Sequence, residues 1–337
     1  MLGELLDKYK PLSPFYQNYK LANHLPMVLI SLSKMGANHQ RLEKYAKFYI
    51  DRYHLQTAVA DVNMVAIDHK NWLNHLGCYS CYSSYLIFFK NEFSKFGKDD
   101  FLVHYLPQFI NGFAVHAYHP LIRLALSVDA GDDNDIPYAF AYWAAGFWRL
   151  SDQKPNFDLG SHDDILSHIQ SKAEFNKVQA SGENIEIRLQ KIVTQLDLKK
   201  LPVLNIHENS LKDIASVLAK LYFSTQNFTV LHGVTSCHAL RTILPYFKSQ
   251  QRQELAIRNY WLSLSVVYVM LGCPKYEDIP EISQLLPTWA TLFQLACEHS
   301  DPHVIKLVYS CYEEYCHYGD QLYHAIAAQK LGLLQDF

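Results

Sequence analysis

The chain has 337 residues, enough to bury a sizeable core as one large domain or as two packed halves, since domains of ~100–150 residues are the commonest size. Hydrophobic residues make up 49% and charged residues 19%, a balance that excludes a disordered chain. Thirty basic residues stand against 33 acidic ones, so there is no electrostatic reason to expect nucleic acid or an anionic membrane surface as a partner.

The first ten residues alternate charge with short apolar stretches and lack the apolar centre and small-residue cleavage site of a secretory signal. The longest apolar run, Trp261 to Gly272, falls short of the ~20 residues that span a bilayer. A soluble, cytoplasmic protein is the expectation. Its seven cysteines are then expected to be free thiols. Cys78 and Cys81 form one C-x-x-C with no second pair and no strand before it, so they read as helix-face thiols rather than a zinc ribbon or redox pair.

Helical spacing runs through nearly all of the chain, as in Leu121, Leu124, Ala125 and Val128, or Leu211, Ile214, Ala215, Leu218 and Tyr222. Prolines such as Pro26, Pro120, Pro137 and Pro302 mark helix starts or breaks. About a dozen helices are predicted, giving an all-α fold: a large single-domain helical bundle over residues 1–337 with a metal site between helices. The one strand-like stretch, Phe228 to Val234, reads equally well as a buried helix entry. The acidic loop Gly131 to Asp135 lacks the spacing and closing glutamate of a calcium loop and reads as a solvated turn. A polar stretch at about 151–204, poor in large apolar side chains, reads as a mobile insert. The 23 tyrosines and 18 phenylalanines serve either as core or as walls of an aromatic cavity.

The chemistry-bearing residues are histidines before apolar runs. In Asn23-His24-Leu25-Pro26, Asn23 is placed to cap a helix whose first turn accepts Pro26. His119 precedes Pro120, and Leu231 to Arg241 carries His232 and His238 around Gly233, Thr235 and Ser236. His24, His119, His238 and His303 all look like helix starts, where the positive end of the helix dipole favours the neutral imidazole that a metal needs. Taken singly, each reads as a core histidine bonded to a carbonyl; taken together, they read as ligands from far-apart helices. His232 ranks ahead of His238, which is then left to serve the ligand or the substrate. Asp301-Pro302 reads as a cap and first helical position, putting His303 and Lys306 on one face. From periodicity alone the Lys306 ammonium snorkels to solvent; the alternative is a desolvated amine that takes up carbon dioxide and becomes an anionic carbamate. Arg123 and Arg241, each following an H-x-L segment, are candidates for steering an anionic or phenolic substrate, with carbonyl capping as the alternative.

Other signatures are incomplete. Glu314-x-x-His317 is half of a di-iron pattern with no second half. A serine nucleophile elbow, a phosphate loop and a dinucleotide fingerprint are absent. The combination of N-H-L-P-M-V-L-I-S-L from Asn23, A-Y-H-P-L-I from Ala117, F-T-V-L-H-G-V-T-S-C-H-A-L-R from Phe228 and D-P-H-V-I-K-L-V from Asp301 resembles the questin oxidase family. The resemblance runs from about residue 15 to the C-terminus, with L-H-G-V-T its most specific segment.

That resemblance implies an all-helical enzyme that uses dioxygen to open a ring of an anthraquinone-like aromatic polyketide. It further implies a non-haem iron, Fe(II) or another divalent metal, held by histidines and a carboxylated lysine. Carried onto this sequence, the ligands would be His24, His119, His232, His303 and Lys306; His238, Arg241 and Arg123 are the candidate catalytic groups, and NADPH is a candidate reductant. The partners implied are a small aromatic substrate and dioxygen. Two rival readings of the same histidines are a hydrolase whose zinc or manganese activates water, and a helical interaction protein without chemistry.

Overall fold

A computed structural model describes residues 2–18, 21–58, 64–150, 158–159, 161–178, 180–275, 279 and 285–334. Its α-helices are α1 Leu2–Tyr9, α2 Leu25–Lys34, α3 His39–Tyr53, α4 Tyr82–Tyr105, α5 His119–Ala130, α6 Ile136–Ala145, α7 His162–Ser171, α8 Ala173–Asn176, α9 Ile185–Gln195, α10 Ser210–Thr225, α11 Phe228–Ile243, α12 Gln250–Met270, α13 Trp289–Glu298, α14 Pro302–Tyr318 and α15 Gln321–Lys330. The fold is all-α, as expected. Strand among the described residues is confined to two small ladders, Phe15–Tyr16 antiparallel to Leu21–Ala22 and Asp158–Leu159 parallel to Val203–Leu204. No described helix is long and apolar enough to cross a membrane.

The middle of the bundle is α11, which packs on α5, α10 and α14, while α2 lies across α5 and α14. Residues Thr229 to Leu240 of α11 are all buried, which explains why Phe228 to Val234 carries no amphipathic stripe. The stretch is helix rather than strand, and Asn227 caps it by accepting from the N–H groups of Thr229 and Val230. Small residues let neighbours close in on α11: a Cβ at Gly233 would stand 2.8 Å from Cδ2 of Leu218 on α10.

Three helix starts follow the sequence logic with small shifts. The Asn23 side chain accepts from Leu25 N–H at 2.9 Å, but the capping position itself falls on His24, one residue later than expected. Asp301 accepts from His303 N–H at 2.8 Å, with Pro302 opening α14 and Gly319 closing it in the left-handed conformation. Before α5 the chain turns sharply: His116, Ala117 and Tyr118 have φ of 47°, 53° and 69°, a conformation that costs of order 1–3 kcal/mol per non-glycine residue and persists only where packing enforces it. All three residues are buried.

Three expectations are corrected. Cys78 and Cys81 are joined in a disulfide, because the short 3-10 turn Tyr79–Cys81 brings their Cα atoms to 5.3 Å, within bridging distance; Cys237, Cys273, Cys297, Cys311 and Cys316 are free. The acidic loop is an anchor rather than a solvated turn: Asp132 pairs with Lys10, Asp133 with Lys98 and Asp135 with Arg123. The described part of the polar stretch folds into α7, α8 and α9, with residues 151–157, 160 and 179 outside the described set. In α9, Asn184 caps and Ile185, Leu189 and Ile192 form a buried stripe, too narrow to stand out against the polar composition. This helix packs on α12 and on the strained turn Val115–Tyr118.

Candidate metal centre

Four imidazoles from four helices meet in the interior. His24 caps α2, His119 is the first residue of α5, His232 lies early in α11, and His303 is the second residue of α14. Ring centroids are separated by 4.4 Å for His24 and His119, 4.8 Å for His24 and His303, 5.0 Å for His119 and His232, and 5.4 Å for His232 and His303. Nitrogens of His24, His119 and His303 all lie within 4.8 Å of one another; two metal–nitrogen bonds of ~2.0–2.1 Å span at most ~4.2 Å, so one ion shared by the three would draw the rings inward by a few tenths of an ångström.

Hydrogen bonds orient three of the rings from behind. Nδ1–H of His119 donates to the His116 carbonyl at 2.5 Å, that of His232 to the Phe228 carbonyl at 2.9 Å, and that of His303 to Asp301 Oδ1 at 2.9 Å. This leaves Nε2 of each with its lone pair, the arrangement in which imidazoles ligate metals. The strained turn thereby acquires a use, since it aims the His116 carbonyl at His119. His24 is fixed through its backbone N–H, which donates to Tyr49 Oη at 3.0 Å. His24 Nδ1 and His119 Nε2 are buried without a hydrogen-bond partner.

Burial holds His24, His119 and His232 well below the ordinary imidazole range, and the neighbouring rings and Lys306 push in the same direction. Burial also lowers His303, against the pull of Asp301. At neutral pH the cluster is therefore uncharged. Lys306, one turn beyond His303, is 1% exposed and its Nζ has no hydrogen-bond partner. The snorkelling expectation thus fails: α14 presents this side chain to the interior, and burial lowers its pKa from 10.5 to about 7.

In front of the imidazoles lies a cavity of about 360 Å³, walled by Tyr16, Leu21 and Phe228 and by Gly182 to Glu186 with Arg188. A family model described as questin oxidase-like matches residues 21–311. The chain belongs to the questin oxidase-like family. No curated protein matches it. Membership makes the protein an oxidoreductase of the oxidase kind acting on a small molecule, and the matched span contains His24, His119, His232, His303 and Lys306.

The questin oxidase-like fold gives different duties to the three residues expected to be catalytic. His238 is in the body of α11, not at a helix start, and six residues along a helix turn the side chain by about 240° from His232. Its Nδ1 meets Ser310 Oγ at 3.1 Å, and burial lowers its pKa to about 3. Arg123 grips Asp135 through Nε and Nη2 at 2.9 and 2.6 Å. Arg241 Nε donates at 2.6 Å to Glu314, which accounts for the acid of the half di-iron pattern. None of the three lines the cavity.

What the sequence concealed is the far wall. Glu186 of α9 accepts from Trp148 Nε1 at 2.6 Å and from His116 N–H at 3.2 Å, and its second oxygen stands 3.0 Å from His116 Nδ1. The His116 ring stacks on Tyr142 with centroids 5.2 Å apart, and a Cβ at Gly146 would stand 2.4 Å from His116 Nε2. Only glycine leaves room for it. The Asn184 cap and the Ile185, Leu189, Ile192 stripe were the available signals that this segment is an ordered wall.

Proposed function

We propose that this protein is a non-haem iron oxygenase that opens a ring of a flat, phenolic, anthraquinone-like substrate with dioxygen. The observation that carries the reading is the convergence of four neutral imidazoles beside a buried amine that has no partner. Such orphaned polar atoms each cost about 1–3 kcal/mol, a cost that a bound ion removes.

The donor set fits a divalent metal in number and chemistry but lacks an anion. Lys306 supplies one when its neutral amine attacks carbon dioxide: an N–C bond forms as one C=O π bond opens onto oxygen, an N–H proton of the amine is released, and the side chain ends in a carbamate. His24, His119, His232, His303 and carboxylated Lys306 would then hold Fe(II). Bound there, the ion supplies the one-electron chemistry that lets dioxygen react with a closed-shell aromatic ring. The chain's own contribution is placement. Asp301 and the His116 and Phe228 carbonyls fix the imidazoles, Phe228 and Tyr16 line the cavity that a planar ring would enter, and the bound ring would exclude water from the cluster.

A dioxygenase outcome places both atoms of one dioxygen in the product and needs no outside electrons. A monooxygenase outcome needs two electrons, which NADPH supplies. Turnover of a hydroxyanthraquinone under ¹⁸O₂ separates these routes and tests the reading: label in the ring-opened product is expected. Ring opening with label only from H₂¹⁸O would instead favour a metal-activated water, as in a hydrolase.

A further inference from the structure

The two arginines expected to meet an anion are both committed to buried carboxylates, Arg123 to Asp135 and Arg241 to Glu314. One guanidinium does line the cavity, and it comes from the polar stretch: Arg188, one turn into α9. Its side chain is half-buried. Nη2 makes one long hydrogen bond, 3.4 Å to Thr229 Oγ1, and no carboxylate among the described residues pairs with it. Of the acids on the same wall, Glu186 is already occupied by two N–H donors and by the His116 ring 3.0 Å from its second oxygen, and Glu183 is exposed at the rim.

We propose that Arg188 is an anion subsite, taking a carboxylate or phenolate oxygen carried by the aromatic substrate while the ring lies against Phe228 and the other end faces the imidazoles. The inference rests on the reading of this cavity as the substrate pocket and deepens it by naming a substrate class: an aryl acid or an acidic phenol. Three features support it. A half-buried guanidinium gains more from an anion than an exposed one, because water competes less. Its planar fork matches a carboxylate in two parallel bonds. Thr229 Oγ1, 3.4 Å from Nη2, steadies the guanidinium without neutralising its charge. With about 360 Å³ available, near the lower end of the ~300–1,000 Å³ typical of ligand pockets, the occupant has few rings and its charge falls close to the wall.

The test is a calorimetric titration of the full chain, as purified, with 2-naphthoate, with its neutral analogue 2-naphthamide and with 6-nitro-2-naphtholate. Arg188→Gln is expected to weaken binding of the preferred anion by about tenfold to a hundredfold, the loss of a charge-assisted hydrogen bond, and to leave 2-naphthamide within about twofold. The anion that loses more identifies the class the subsite takes. Arg188→Lys, which keeps the charge and loses the fork, should fall between, and it serves as the readout if the glutamine variant does not fold. Arg258→Gln, at an exposed site on α12, is the control. Unchanged anion affinity in both Arg188 variants, with 2-naphthamide still bound, would overturn the subsite and leave the pocket reading standing. If none of the three probes binds the wild-type chain, the aromatic pocket falls and the subsite with it.

Discussion

Replacing Lys306 by methionine should make the metal-free protein more stable at neutral pH while removing its capacity to hold iron. Burial lowers the Lys306 pKa from 10.5 to about 7, an effect that Asp301 only partly offsets. Between those two values the unfolded chain binds the proton and the native chain has released it, so stability rises with pH across the window. Below it the native state carries a buried ammonium, at a cost of roughly 5 kcal/mol if each tenfold in proton affinity is worth about 1.4 kcal/mol. Above it the cost is gone. Methionine at 306 is nearly isosteric and carries no proton, so the variant should exceed the wild type by several kcal/mol at neutral pH and by little near the top of the window. Denaturant unfolding of the metal-free proteins at about pH 6, 8 and 10 measures this directly. Loss of activity should exceed the ~10–100-fold that follows from removing a group which merely supports a ligand. A lysine retained at such a thermodynamic disadvantage is what a functional amine requires.

Asp135→Ala should destabilise the protein by about 3–5 kcal/mol, because it strands the Arg123 guanidinium in the core. Arg123 is 2% and Asp135 1% exposed, and Ser127 Oγ also donates to Asp135 at 2.8 Å. Replacing both partners together, Arg123→Met with Asp135→Leu, should recover most of the loss, since a well-packed apolar pair substitutes for a buried ion pair. Urea unfolding of Arg123→Met, Asp135→Leu and the double variant beside the wild type gives the coupling. Iron content should be unaffected in the double variant, which separates an architectural role for Arg123 from the substrate-steering one its sequence position suggested.

The contrast between these residues shows what local sequence can carry. His24, His119 and His303 were legible because each sits beside a proline or a capping residue, and such residues fix where a helix begins and so which way the next side chain projects. His232 and His238 share α11, and because that helix begins at Phe228 rather than at His238 their six-residue spacing puts them on different faces. An apolar run without period hid that start. Arg123 and Arg241 were located on the correct helices but not paired, because Asp135 and Glu314 reach them through tertiary packing that no short motif records. Lys306 shared a face with His303 as the spacing required, yet whether that face met solvent depended on α2 and α11 closing over it. The wall built from Glu186 and Arg188 was the least visible part. Its residues lie in a segment of polar composition, and their roles come from Trp148, His116 and Thr229, all distant in the chain.

The central claim is that imidazoles from α2, α5, α11 and α14 share one ion with Lys306. Titrating metal-free protein with Fe(II) without oxygen, and counting iron per chain in the wild type and in His232→Ala, tests it most directly. About one equivalent in the wild type and less than about a tenth in the variant is the predicted result. Less than about a tenth of an equivalent in the wild type, unchanged in His232→Ala, would contradict it.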